Sequence, residues 1–349
     1  MKAGDTINGY TILEDFTVVG AGLSKWTFAQ RGDRQFFIKE FLSPTYPDDA
    51  APGSPKTKAK KRARCAVFEA HHTGLQRALA PLSAYGGNLI VTLDFFRWGA
   101  KYYKVTEKVD AAGLDEADVA ALDLRTKLVL LKSVAHSLKI LHDLRIVHGD
   151  LKPSNILIKR TELGYTSKLI DFDNSYIAAA PPPPEEIVGT INYYSPELLG
   201  YIQESGVPGS ALGVASDVFA LGLIYSQYLS GSLPTFDAAV FHEPAVAVSS
   251  GVILQIPRTG VPDVLADLVD QMLLADPASR PTTGQVHTTL MAFRPPTDPT
   301  PTTRAAALSS ALRGRGLRTA APAATTPVSA PAGRLIGKLV GKLIDRPKP

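Results

Sequence analysis

Residues 124–144, "LRTKLVLLKSVAHSLKILHDL", most constrain what this 349-residue chain can become. Leu124, Leu128, Leu131, Ala135 and Leu138 recur at steps of four and three, which places them on one face of a helix. A helix of that length with a continuous apolar face has to be covered by other elements. Directly after it comes "VHGDLKPSNILI", residues 147–158, which sets Asp150, Lys152 and Asn155 between apolar residues. A polar loop thus leaves a buried element, where a charge is costly without a partner or a task.

The first third reads as strands. "YTILEDFTVV", "KWTFAQ", "RQFFIKEF" and "KYYKVTEKV" are rich in β-branched and aromatic residues and are separated by Gly and Asp turns. The basic run "KTKAKKRAR" is expected to be a solvated loop before a helix over residues 66–80. It has no interleaved aromatics, so no nucleic acid partner is expected. A second buried helix is expected in "SDVFALGLIYSQYLSG", with Ser216 as its N-cap and Gly231 as its stop.

From Pro295 the composition shifts to Pro, Ala and Thr, with nine Lys/Arg against two Asp/Glu. That excess is larger than the net charge of +4, so residues 1–294 are net negative and the basic character belongs to the tail. The tail is expected to be flexible. The single cysteine, Cys65, excludes an internal disulfide. The first residues lack the apolar run of a leader, and no stretch reaches the roughly 18 apolar residues of a spanning helix. A cytoplasmic location is the expectation.

Thirteen residues after Ile158, the apolar "KLI" ends in Asp171. Two loops that each offer a carboxylate, one with an Asn nearby, suit oxygen-only ligation of Mg²⁺. Upstream, "VVGAGLSKW" puts small residues between two strands, where backbone N–H groups can approach phosphates. Lys39 lies in an apolar strand, an expensive place for an unpaired charge.

With these motifs in this order the chain resembles the eukaryotic-type (Hanks-type) Ser/Thr protein kinases that also occur in bacteria. The resemblance runs from about Gly20 to Arg280. It implies an α+β, bilobal protein-kinase-like fold: a small antiparallel β-rich N-lobe over about 1–108, a larger helical C-lobe over about 109–294, and a tail over 295–349. Asp150, Lys152 and Asn155 match the catalytic loop, and Asp171 with Phe172 matches the magnesium-binding motif. Lys39 matches the strand lysine that grips the α/β-phosphates of ATP. Glu69, in "AVFEAHHTG", is the candidate helix carboxylate that would fix it. Gly20, Ala21 and Gly22 match the phosphate loop. Thr106, Glu107 and Val109 match the gate and hinge that receive adenine. "GTINYYSPE" resembles the end of an activation segment, and Asp217 and the Glu197–Arg280 pair match architectural positions. The implied cofactors are ATP and Mg²⁺, and the implied partners are protein substrates with Ser or Thr acceptors.

Four departures from the family's pattern stand out. Gly149 replaces the arginine that often precedes the catalytic aspartate and binds an activation-loop phosphate. Asp173 replaces a glycine after Phe172 and is expected to stiffen that loop. Lys25 stands where a third glycine of the phosphate loop would be. "AAAPPPPEE" inside the activation segment favours extended backbone. A nucleotide-binding pseudokinase scaffold is the competing reading, and a small-molecule kinase of similar fold is a third. In the tail, a disordered solubilising segment is the expectation, and the alternative is that "GRLIGKLVGKLIDR" forms a short amphipathic helix over 333–346 that lies on an anionic membrane surface or docks on a partner. "TDPTPTTR" offers threonines to a phosphothreonine-reading partner.

Overall fold

Side-chain alternation along Arg34–Phe41 sets up the first layer of the structure. The computed structural model describes residues 1–18, 24–48, 52–84 and 87–295. Gly20, Ala21 and Gly22, and the tail with its candidate helix, lie outside the described residues. Strands β1 (Thr6–Ile7), β2 (Tyr10–Ile12), β3 (Ser24–Arg31), β4 (Arg34–Phe41), β5 (Asp94–Trp98) and β6 (Lys101–Glu107) form one sheet in the order β1-β2-β3-β4-β6-β5. Every pairing in it is antiparallel. Phe36 and Ile38 of β4 join Tyr10, Ile12, Tyr103 and Val105 in a core on one face. Phe41 points the other way and packs with Cys65 and Tyr102. Lys39 shares that second face, because side chains two apart on a strand point the same way.

The helix on that face, α1 (Pro55–Leu79), corrects the expectation of a loop. Its first three turns consist of the basic run. Lys, Arg and Ala are good helix formers, Ser54 caps the helix by accepting from the Thr57 N–H, and Pro55 occupies the first turn. The run is helical and mostly exposed, and apolar contact begins near Cys65.

The C-terminal part is built on α3 (Leu124–Asp143), capped by Asp123 and preceded by α2 (Glu116–Ala121). Leu128, Leu131, Ala135 and Leu138 are buried as the sequence predicts, in a core shared with the helices that follow. Those that share it are α5 (Ala215–Ser230), α6 (Pro244–Ser249), α7 (Asp263–Met272) and α8 (Thr283–Ala292), whereas α4 (Pro196–Ile202) packs through Leu198 with Val147, Tyr176 and Tyr194. Two short antiparallel pairs lie between α3 and α4: β7 (Ile146–Val147) with β10 (Tyr176–Ile177), and β8 (Ile156–Thr161) with β9 (Gly164–Leu169). Helix α5 begins one residue before Ser216, which therefore bonds to Ser195 at 2.7 Å instead of capping. Gly231 stops α5 with φ of 82°. Among the described residues, no helix is long and apolar enough to cross a membrane.

One buried ion pair ties α4 to the end of the fold. Arg280 donates from Nη1 and Nη2 to the two Glu197 carboxylate oxygens at 2.7 and 2.9 Å. Its other donors reach the carbonyls of Leu274, Ala275 and Ala215. The guanidinium lies 5.0 Å from the Phe219 ring centre. Removing one member of such a pair leaves an uncompensated charge in the interior. Glu197→Ala is therefore expected to destabilise the fold by about 3–5 kcal/mol, read by denaturant unfolding.

Candidate active site

The loop after β7 is held from below by one carboxylate. Asp217, buried in the first turn of α5, accepts the backbone N–H of His148 at 2.6 Å and of Gly149 at 3.2 Å. The His142 ring lies 3.0 Å from the same carboxylate. Burial would raise the Asp217 carboxyl, but these donors outweigh it and hold the group below its ordinary value. His148 is fully buried. It packs against Phe172 and bonds through Nε2 to the Ile170 carbonyl at 3.0 Å, so it braces the loop and does not face an open cleft.

Above this brace, three of the expected residues come together. Lys152 donates to Asp150 at 2.8 Å and to the Thr190 hydroxyl at 3.0 Å. Asn155 donates from its side-chain amide to the Asp150 carbonyl at 2.7 Å and lies 3.3 Å from its carboxylate. The Thr190 N–H reaches the other Asp150 oxygen at 3.3 Å. The amide nitrogen of Asn155 is thus used within the loop. The backbone carbonyl of Asn155 accepts from the Ile170 N–H at 3.0 Å, which brings the loop beside Asp171. Among the described residues no three His, Cys, Asp or Glu form a metal cluster. An amide oxygen with one carboxylate is the sparse hard-donor set that suits Mg²⁺ sharing phosphate oxygens.

Asp171 has φ of 61°, in the left-handed region that costs a non-glycine residue energy. Its carboxylate meets Lys39 at 3.0 and 3.1 Å and Lys104 at 2.9 Å. Asp173 meets Lys39 at 2.7 Å and also bonds Lys104. Burial lowers Lys39, but Asp173 and Asp171 outweigh it and leave the ammonium above its ordinary value. Burial likewise raises Asp173, and Lys104 and Lys39 outweigh that, holding its carboxyl well below the usual range.

One expectation is corrected here. Glu69 is not on Lys39; it accepts from the Tyr102 hydroxyl at 2.6 Å. The register explains why. Tyr102 pairs with Phe41 and Lys104 pairs with Lys39, so Glu69 sits one same-face step along the strands from the lysines. The α1 residues that reach the charge cluster are His71, whose ring bonds the Asp173 carbonyl at 3.0 Å, and His72, 4.0 Å from the Asp173 carboxylate, whose imidazole burial pushes down to about 3. Asp173 does not occupy a position needing glycine, because the left-handed residue of that turn is Asp171. Lys104 and Asp173 as charge partners escaped the sequence reading. An ionisable residue inside the apolar strand "KYYKVTE" was the available signal.

At the cleft edge, Thr106 is half-buried on the same face as Lys39, and Glu107 is exposed. The Val109 carbonyl accepts from the Ala111 N–H at 3.0 Å. The Ala112 N–H bonds to the Ile158 carbonyl at 2.6 Å, tying this segment to β8. Lys25 lies on β3 opposite Glu40. Pro183 is extended, but Pro184 opens a short 3-10 helix over Pro184–Glu186, because proline's fixed φ and missing N–H suit a first helical position, so the run resists helix only up to its last proline.

Residues 73–290 match the family described as "Protein kinase domain". The match starts inside α1 and leaves the strands carrying Lys39 outside it. A serine/threonine-protein kinase called drp72 from Corynebacterium efficiens is 32% identical over 222 residues, covering 59% of this chain and 40% of that protein. A calcium and calcium/calmodulin-dependent serine/threonine-protein kinase from Lilium longiflorum is 32% identical over 159 residues, 45% of this chain and 29% of its own. The PknA serine/threonine kinase of Corynebacterium glutamicum is 30% identical over 154 residues, 43% and 30%. The chain therefore spans well under half the length of these relatives.

Gly149 has φ of 79°, and a Cβ built there would lie 2.3 Å from the Asn174 carbonyl oxygen. Both the backbone angle and the space exclude a side chain unless the Asn174 peptide moves. Gly149→Ala is expected to destabilise the protein by about 2–4 kcal/mol, combining left-handed strain with overpacking. Thermal melting of the variant checks this.

Proposed function

The chain belongs to the protein kinase domain family, and we propose that it is an ATP- and Mg²⁺-dependent serine/threonine protein kinase. The observation that carries this reading is the Lys152 ammonium bridging the Asp150 carboxylate and the Thr190 hydroxyl. A carboxylate, an ammonium and an acceptor-side threonine in mutual contact are what transfer to a protein hydroxyl needs. The pseudokinase reading is not favoured, because Asp150, Lys152, Asn155, Asp171 and Lys39 are all present.

Phosphoryl transfer has a loose transition state, so the protein acts mainly by positioning and charge stabilisation. Mg²⁺, when bound, neutralises charge on the phosphates. Asp150 would orient the acceptor hydroxyl and take its proton as that oxygen bonds to the γ-phosphorus, while the bond from the γ-phosphorus to the β,γ-bridging oxygen breaks and ADP leaves. Lys152, on the same carboxylate, faces the negative charge of the moving group. Asn155 and Asp171 would hold the metal through oxygen, and Lys39 would grip the α/β-phosphates. Thr106, Glu107 and Val109 would form the edge for adenine, and the phosphate-loop role of Gly20, Ala21 and Gly22 rests on sequence. The basic tail is read, on sequence alone, as a contact for an anionic membrane surface or a phosphothreonine reader. The cytoplasmic location likewise rests on sequence.

General-base and positioning contributions are typically about 10²–10⁴-fold each. Asp150→Asn is expected to lower kcat by at least about 100-fold while leaving ATP affinity within roughly threefold. Asp171→Asn should instead weaken nucleotide binding only when Mg²⁺ is present. Radiolabelled transfer to a generic basic protein, with nucleotide titrations with and without metal, measures both.

The activation segment supports a second expectation. Gly149 offers no guanidinium to a phosphate on that segment, and the Asn174 carbonyl fills the space beside it. Phosphatase treatment should change the rate by less than about threefold, since one half of a phosphate switch is missing. Near-complete loss of activity on dephosphorylation would contradict this.

A further inference from the structure

We propose that Asp173, and not an acid of α1, is the carboxylate that sets Lys39 in position to grip nucleotide, with buried Lys104 as the counter-charge that makes this possible. This rests on the reading of Lys39 as a nucleotide-binding residue. Asp173 is thereby a positioning residue.

The sheet register supplies the starting point. Lys39 and Lys104 are direct cross-strand partners, so both ammonium groups leave the same face of the sheet. Like charges directly opposite one another destabilise a sheet. The repulsion has to be offset by anions, and α1 cannot provide them. Its only acid is Glu69, engaged by Tyr102 at 2.6 Å, and the residue one turn on is His72. The anions come from the loop after β9 instead. Asp171 and Asp173 each bond both lysines, closing a four-membered ring of two positive and two negative groups.

The two aspartates are not equivalent within that ring. The side chain of Asp171 is 31% exposed and that of Asp173 14%, while Lys104 is 4% exposed. Asp171 is therefore the carboxylate free to turn outward to a cation, and it withdraws charge from Lys39 when it does so. Asp173 remains on Lys39 at 2.7 Å, and Lys104 on its other oxygen keeps it in place. The pair Lys104–Asp173 thus supplies from the sheet and loop what a helix carboxylate would supply from α1. A consequence follows for regulation: tilting α1 breaks no ion pair to Lys39. The helix touches the cluster only through His72 and through His71, whose ring bonds the Asp173 carbonyl at 3.0 Å.

The test uses the full chain with Asp173→Asn, Glu69→Gln and the charge-balanced double variant Lys104→Met/Asp173→Asn. Mg·ATP affinity is measured by calorimetry well below each melting temperature, beside steady-state KM for ATP and kcat. Asp173→Asn and the double variant are expected to weaken Mg·ATP at least about tenfold, with KM rising in step, while Glu69→Gln changes affinity less than about threefold. The double variant guards against simple misfolding, because it removes one buried charge of each sign. A loss in Glu69→Gln equal to that in Asp173→Asn would overturn the proposal. So would a lowered melting temperature in the aspartate variants with unchanged Mg·ATP affinity. If the unaltered chain binds Mg·ATP but transfers no phosphate, the kinase reading fails while the affinity comparison still decides this one. No Mg·ATP binding by the unaltered chain would overturn both.

Discussion

Two ammonium groups on neighbouring strands can be buried together only if carboxylates come to meet them. Lys39 and Lys104 impose that condition, and the chain answers it with Asp171 and Asp173 from the loop after β9. The strand-rich part is thereby joined to the helical part by charge, at the turn that carries Asp171 and Asp173. A site built this way carries a standing cost, since each desolvated ion needs its partners in place. That cost is tolerable where the charges also bind substrate. The left-handed backbone of Asp171 is a second local expense at the same turn.

The helical part solves the matching problem for the catalytic loop. A loop carrying Asp150, Lys152 and Asn155 has backbone N–H groups that must be satisfied beneath it, and buried Asp217 takes two of them. This frees the upper side of the loop to organise around Asp150. Phe172 and His148 pack against each other between the two arrangements, so the Asp171–Asp173 turn and the loop carrying Asp150 share one support. Displacement of either is felt by the other through packed side chains.

Much of this was legible in the residues. The steps of three and four in α3, the β-branched and aromatic richness of β4 and the spacing of Asp150, Lys152 and Asn155 each state a local rule that the fold obeys. The start of α1 was not legible as helix, because a run of six basic residues reads as solvent-exposed whether or not it is helical. Ser54 followed by Pro55 was the overlooked capping signal. Strand β5 was missed because only five residues, "DFFRW", carry it, and their pairing with β6 supplies most of their stability.

Sequence by itself determined which chemical groups are present and in what order: a strand lysine, a loop Asp-x-Lys with a following Asn, and an Asp-Phe-Asp turn. Motif spacing is local, and local spacing suffices to place groups within one loop or strand. Which carboxylate meets which lysine was decided only by tertiary structure. Glu69 was the sole acid on its helix, yet its axial position over the Phe41–Tyr102 pair gives it to a tyrosine, and the cross-strand register gives Lys39 and Lys104 to the two aspartates. Ion pairing follows distance in space, falling off over a few ångströms. The contacts between Lys39 and the Asp171–Asp173 turn span more than 130 residues of chain, a separation that no local pattern encodes.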